Sequence, residues 1–150
     1  MQIALHWAIA LLIGLNYFIS DGMGRALDNH LAGTGTMGTT ATVHVYSGIA
    51  VFVLVLVRLG VRLRMGVPAA MGHGILDRAG EWAHKALYAL MLVVPALGAT
   101  AWFLGIDAAG GLHVLAMNAL MIIVLVHAAA ALLHQFVLKD GLLMRMVRAG

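Results

Sequence analysis

The chain contains no cysteine. That excludes disulfides, iron–sulfur clusters, thiolate zinc sites and the C-x-x-C-H attachment of a c-type haem. Charge is nearly as scarce. Asp, Glu, Lys and Arg together make up 10% of the 150 residues, where an ordinary soluble domain has about 25%. With 63% hydrophobic residues, so few charges could not cover a surface facing water, and lipid is the expected solvent. Proline occurs only twice and no long polar tract interrupts the chain. A second, soluble domain is therefore not expected, and residues 1–150 read as one membrane domain. Acidic residues are the rarest charged class: six Asp and Glu stand against eight histidines. That ratio, in so apolar a chain, is the first functional clue.

The formal net charge of +3 invites a nucleic-acid reading. The basic residues are not gathered on a soluble face, however, and no recognisable nucleic-acid module accompanies them. They sit at the ends of apolar stretches, where headgroups and topology account for them. No nucleic-acid partner is expected; the lipid bilayer is.

Four apolar stretches stand out: Gln2 to about Ile19, Val43 to about Val61, Trp82 to Leu104, and Leu112 to Leu138. Each reaches or nearly reaches the ~20 residues needed to cross ~30 Å of hydrocarbon. The expected fold is an all-α membrane protein, a bundle of four transmembrane helices. The first stretch lacks a basic leader and an A-x-A-like cleavage site and carries His6 and Asn16, so it reads as a retained helix rather than a signal peptide. Pro95 should kink the third span, which neighbouring helices tolerate in a membrane. Between spans, Ser20 to Thr42 is rich in Gly and Thr, reads as flexible, and offers Thr39 or Thr40 as an N-cap. Gly105 to Gly111 reads as a tight turn.

Orientation follows from Lys and Arg. Arg58, Arg62, Arg64, Arg78, Lys85, Lys139, Arg145 and Arg148 all fall on one side of this topology, and only Arg25 on the other. The positive-inside rule then makes both termini cytoplasmic in a bacterial inner membrane.

Ionisable groups inside membrane spans are costly and default to functional hypotheses. Five histidines lie in or near the spans: His6, His44, His113, His127 and His134. His113 and His127 are 14 residues apart, which at ~100° per residue returns them to nearly one face, about 21 Å apart along the axis. His44 opens the second span on the outer side and His6 opens the first on the inner side. The topology thus offers two pairs at two depths, His44 with His113 and His6 with His127. One facing pair per level suits a six-coordinate, non-covalent haem in a bundle core. Zinc would want further ligands, and the spans lack carboxylates. A proton relay is the other reading, although it usually recruits Asp or Glu.

Ser47 and Gly48 lie one turn from His44, leaving room for a flat macrocycle or simply for close helix packing. Arg58 follows His44 by 14 residues, so it shares that face at the inner end. It could pair with a haem propionate or serve only as a topology determinant.

At this point the chain resembles the bacterial cytochrome b561 family. The residues that carry the resemblance are Leu5-His6-Trp7; His44-Val45-Tyr46-Ser47-Gly48-Ile49 with Arg58-Leu59 and Arg62-Leu63; and His84-Lys85-Ala86-Leu87-Tyr88 with Pro95 and Gly98. The fourth span adds His113, the run from His127 to Leu132, His134, Lys139-Asp140 and Arg145-Met146. The resemblance implies two haem b groups ligated by His6, His44, His113 and His127, and electron exchange with ubiquinone as acceptor or donor. In some members it implies superoxide oxidation. His134, one heptad beyond His127, could contact that quinone or hand it a proton, or be a plain interfacial histidine. His84 is a reserve inner ligand, and His30 and His73 read as loop residues.

Two departures from the family pattern stand out. The link between the third and fourth spans is short. The outer loops carry Asp21, Asp28 and Asp107 against Arg25 alone, a poor surface for steering an anion such as superoxide. The expected function is an electron relay between a periplasmic one-electron donor and quinone. The alternative is an anchor subunit passing electrons to quinone from a peripheral oxidoreductase such as a hydrogenase.

Overall fold

The computed structural model describes residues 1–66, 75–141 and 143–146; for residues 75–77 and 145–146 only the backbone is described. Pro68 and His73 lie outside the described residues. The chain is all-helical: α1 (Gln2–Phe18), α2 (Met23–Leu31), α3 (Thr39–Met65), α4 (Ile75–Leu104) and α5 (Asp107–Leu133). A π-helical turn, His134–Leu138, prolongs α5, and a short 3-10 turn, Leu143–Met146, follows.

Three helical spans are long and apolar enough to cross a membrane, within α3, within α4, and along α5 with its π turn. A fourth is counted when α1 and α2 are taken together across the 77° bend between them. Alone, α1 has 17 residues, slightly short of the ~20 that span hydrocarbon. Leu11, Phe18, Leu115, Ile122, Leu125 and Val126 are among many large side chains left exposed, as a lipid-facing surface requires and a water-facing one does not tolerate.

Three expectations are corrected by the fold. The Ser20–Thr42 segment is not uniformly flexible, because α2 forms within it. Met23, Ala26, Leu27, His30 and Leu31 share one face, with Arg25, Asp28 and Asn29 on the other, the pattern of an amphipathic helix lying on a surface. Gly22 at φ 78° makes the turn into it, a conformation that costs glycine nothing. The N-cap of α3 is Gly38, not Thr39 or Thr40, and no side chain caps it. The turn before α5 is also tighter than expected, because Asp107 already begins that helix. Meanwhile α4 runs as one helix through Pro95.

The core positions the rest. Ile9, Ile13, Val51, Val55, Leu87, Met91, Val94 and Leu120 form one buried cluster. On every helix these residues fall between two polar positions: His6 and Asn16 on α1, His44 and Arg58 on α3, His113 and His127 on α5. On α4 they fall between His84 and Gly98. The bundle is therefore an apolar plug with a polar level at each end, about 21 Å apart along α5. One end carries the arginines of α3; the other carries Asp21, Asp28 and Asp107. We call them the basic and acidic ends.

Candidate functional site

At the acidic end, His44 of α3 and His113 of α5 face each other with ring centroids 6.1 Å apart and planes at 79°. His113 donates its Nδ1–H to the carbonyl of Val94 at 2.8 Å. That bond puts the ring proton on Nδ1 and leaves Nε2 with its lone pair, the arrangement of a metal-ligating histidine. Gly98 makes it possible. A Cβ at that position would stand 3.0 Å from Nδ1 and 3.1 Å from Cε1 of His113, so only a bare backbone lets the ring reach Val94.

Across the bundle, Asn16 is buried on α1 and donates from Nδ2 to Ser47 Oγ at 2.8 Å and to Leu12 O at 3.1 Å. Ser47 in turn donates to the Val43 carbonyl. This ties α1 to α3 one turn from His44. Two buried atoms at this level have no partner among the described residues, His44 Nδ1 and Asn16 Oδ1. A cavity of about 600 Å³ opens between the helices, lined by His44, Gly48, Gly98 and His113 and roofed by α2 through Met23 and Leu27.

At the basic end three imidazoles converge. His84 of α4 lies against His127 of α5, centroids 5.1 Å apart and planes at 70°. His6 of α1 accepts a hydrogen bond at Nδ1 from Arg58 Nη1 at 2.8 Å. The sequence paired His6 with His127, whereas the ring contact here is made by His84. Arg58 and Arg62 both stand over the Tyr88 ring, at 5.8 and 5.7 Å from its centre. Tyr88 OH and Arg58 Nε are buried without a partner among the described residues. His134 lies beyond this level on the π turn, with Nδ1 2.5 Å from Asp140 Oδ2. His30 is not a bare loop residue. It stacks on Trp102 with centroids 4.3 Å apart and planes at 4°, and its Nε2 lies 3.0 Å from the Trp102 carbonyl. No cluster of three or more side chains that could hold a metal ion is found among the described residues.

A family profile described as prokaryotic cytochrome b561 matches residues 1–149. The chain belongs to the prokaryotic cytochrome b561 family. It is thus a multi-pass membrane protein of haem electron transport. It is 49% identical over 148 residues to cytochrome b562 of Cereibacter sphaeroides, covering 99% of this chain and 93% of that one. It is 26% identical over 173 residues to a probable superoxide oxidase CybB of Yersinia pestis, covering 98% of this chain and 93% of that protein. The second alignment is longer than the chain itself, so that relative carries insertions absent here. No solved structure matches.

Membership in this family implies haem b, and the acidic-end residues fit it. Two imidazole–metal bonds of about 2 Å each, plus two half-rings, come to roughly 6 Å, which is the separation of His44 and His113. The cavity between them falls in the ~300–1,000 Å³ range of cofactor pockets. His44 Nδ1 and Asn16 Oδ1 also await partners there. At the basic end the fit is chemical: two guanidinium groups and a buried hydroxyl, with no carboxylate within ion-pair distance of the arginines among the described residues.

Asn16, Gly98 and Tyr88 were the residues whose roles sequence reasoning missed. Asn16 was an amide deep in an apolar span, and that signal alone could have marked it as functional. Gly98→Ala is expected to push the His113 ring off Val94. At the about 1–3 kcal/mol typical of overpacking, haem affinity at the acidic end should fall about 5- to 150-fold. Haem titration followed by absorbance should show this loss while the second site fills as in the parent protein.

Proposed function

We propose that this cytochrome relays single electrons across the bacterial inner membrane through two b haems, between a one-electron donor at the acidic, periplasmic end and ubiquinone at the basic, cytoplasmic end. The observation that carries the reading is the division of the bundle into two histidine levels by a continuous apolar plug. His44 and His113 hold one haem. His127 holds the other with His6, and His84 is the spare imidazole at that level. An iron bound by two imidazoles has no open position for oxygen and exchanges single electrons between its ferric and ferrous states.

The chain's own residues prepare these sites. A ligating imidazole needs an acceptor at its Nδ1, and Arg58 is a donor only. For His6 to ligate, Arg58 must therefore leave His6 Nδ1. A propionate is the partner that would draw it away, with Arg62 and the Tyr88 hydroxyl beside it. His134 stands farther along the same face as His127, where it contacts quinone and supplies a proton.

The 26% relative's name points to superoxide as a donor. Here the donor face carries Asp21, Asp28 and Asp107, all exposed, against Arg25, and such a face repels an anion. A neutral or cationic donor suits it better. The two-residue link between α4 and α5 also favours a second reading, an anchor for a peripheral oxidoreductase, which co-purification with an iron–sulfur partner would reveal.

Three results are expected. A pyridine haemochrome assay should find about two non-covalent b haems per chain; none, or a covalent haem, ends the proposal. His113→Ala should empty the acidic-end site and spare the other, and His127→Ala the reverse, because the two lie about 21 Å apart. Loss of both haems from either folded variant would mean the sites are not independent. His134→Ala should keep both haem spectra and slow reoxidation of the reduced protein by soluble quinone in stopped flow. Unchanged kinetics would make His134 a plain interfacial residue, and loss of a haem would make it a ligand.

A further inference from the structure

The end of α5 is built to bring one carboxylate onto one imidazole. The helix widens into a π turn over His134–Leu138, an irregularity that recurs at functional sites. Lys139 then takes a left-handed conformation at φ 55°, uncommon for a residue with a side chain. This reversal carries Asp140 back over the turn. Its backbone N–H donates to the His134 carbonyl at 3.3 Å, and its Oδ2 accepts the His134 Nδ1–H at 2.5 Å. The pair is held twice, once through the main chain and once through the side chains. Both side chains remain partly open to the surroundings, His134 at 25% and Asp140 at 35%, so water can reach the pair from the basic end.

We propose that Asp140 is the positioning partner of His134 in quinone chemistry, and that the two act as one proton-donating unit. The inference rests on the reading of His134 as the quinone contact. With Nδ1–H committed to the carboxylate, Nε2 is the nitrogen that exchanges protons. The carboxylate also fixes the tautomer and orientation of the ring, as the Asp does for the histidine of a catalytic triad.

Reduction of quinone to quinol takes two electrons and two protons. For each electron that a ferrous haem b supplies, becoming ferric, one Nε2–H bond of His134 breaks and one O–H bond forms on a quinone oxygen. Water at the basic end then returns a proton to Nε2. The Asp140 carboxylate keeps its charge throughout and itself transfers no proton. In quinol oxidation the same steps run backwards.

The test is stopped-flow reoxidation of the reduced, haem-loaded full chain by a short-chain ubiquinone, in H2O and in D2O. Asp140→Asn removes the charge while leaving the backbone N–H that closes the turn. It is expected to keep both haem spectra, to slow reoxidation at least about tenfold, and to enlarge the solvent isotope effect as proton delivery becomes limiting. A merely structural cap would not change that isotope effect. Asp140→Glu, which keeps the carboxylate, should recover part of the rate and is the variant to measure if Asp140→Asn does not fold. In a His134→Ala background, Asp140→Asn should add nothing, because the unit is already broken.

A wild-type rate in Asp140→Asn, an equal slowing in the His134→Ala background, or a Glu variant as slow as Asn or as His134→Ala overturns the proposal. The failure of the underlying reading looks different. There His134→Ala itself leaves the kinetics unchanged, or the wild-type protein exchanges no electrons with quinone.

Discussion

Hydrocarbon offers a polar side chain no partner, so each polar group inside this bundle must find one in the protein or in a ligand. That constraint organises the whole molecule. The histidines of the spans gather at two depths, and the buried residues that form the core between them are all apolar. The exceptions are as informative as the rule. The buried side-chain atoms without a partner among the described residues are Asn16 Oδ1, His44 Nδ1, Arg58 Nε, Tyr88 OH and Gln135 Oε1. The first two belong to the acidic-end level and the next two to the basic-end level. The last adjoins His134 on the π turn. Native proteins leave few such atoms, and these five lie where the proposal puts haem or quinone.

The helix-to-helix contacts follow from the same demand. Val94 can hold the His113 Nδ1–H only because Gly98, one turn on, has no side chain to block the ring. Asn16 reaches Ser47 only because α1 and α3 pack along their small and apolar faces. In a membrane, where apolar burial does not drive helices together, such bonds and close small-residue contacts carry the association. The proposed ligand sites and the bundle therefore share residues. A substitution at Gly98 or Asn16 cannot be sorted into folding or function alone.

The two depths were legible in the sequence because helical geometry is regular. Spacings of 14 residues from His113 to His127 and from His44 to Arg58 give the face and the depth with no tertiary information. Which imidazole meets which was not legible at the basic end. His6, His84 and His127 arrive there from three helices, and their rotation about each helix axis depends on packing. Arg58 engaging His6 and His84 engaging His127 are outcomes of that packing. The α2 helix was hidden for another reason. Nine residues are too few to be a stable helix alone, and its Gly-rich surroundings read as loop. What holds it is tertiary contact, Leu27 against Gly110 and His30 stacked on Trp102.

Charge gives the proposed relay a direction. The acidic end carries exposed Asp21, Asp28 and Asp107, while Arg58 and Arg62 crowd the basic end around Tyr88. An electron adds one negative charge to whichever haem holds it. Cations nearby favour that reduced state and anions oppose it, and low dielectric around the plug preserves both effects. In the proposed relay, a haem at the basic end would be the easier one to reduce, and electrons would run toward the end where His134 stands. The plug then has a second role. By keeping water and counter-ions away from the space between the levels, it leaves the difference between the two ends unscreened. The same greasy core that lets the chain live in a bilayer would, in that relay, also preserve the electrostatic difference between its two ends.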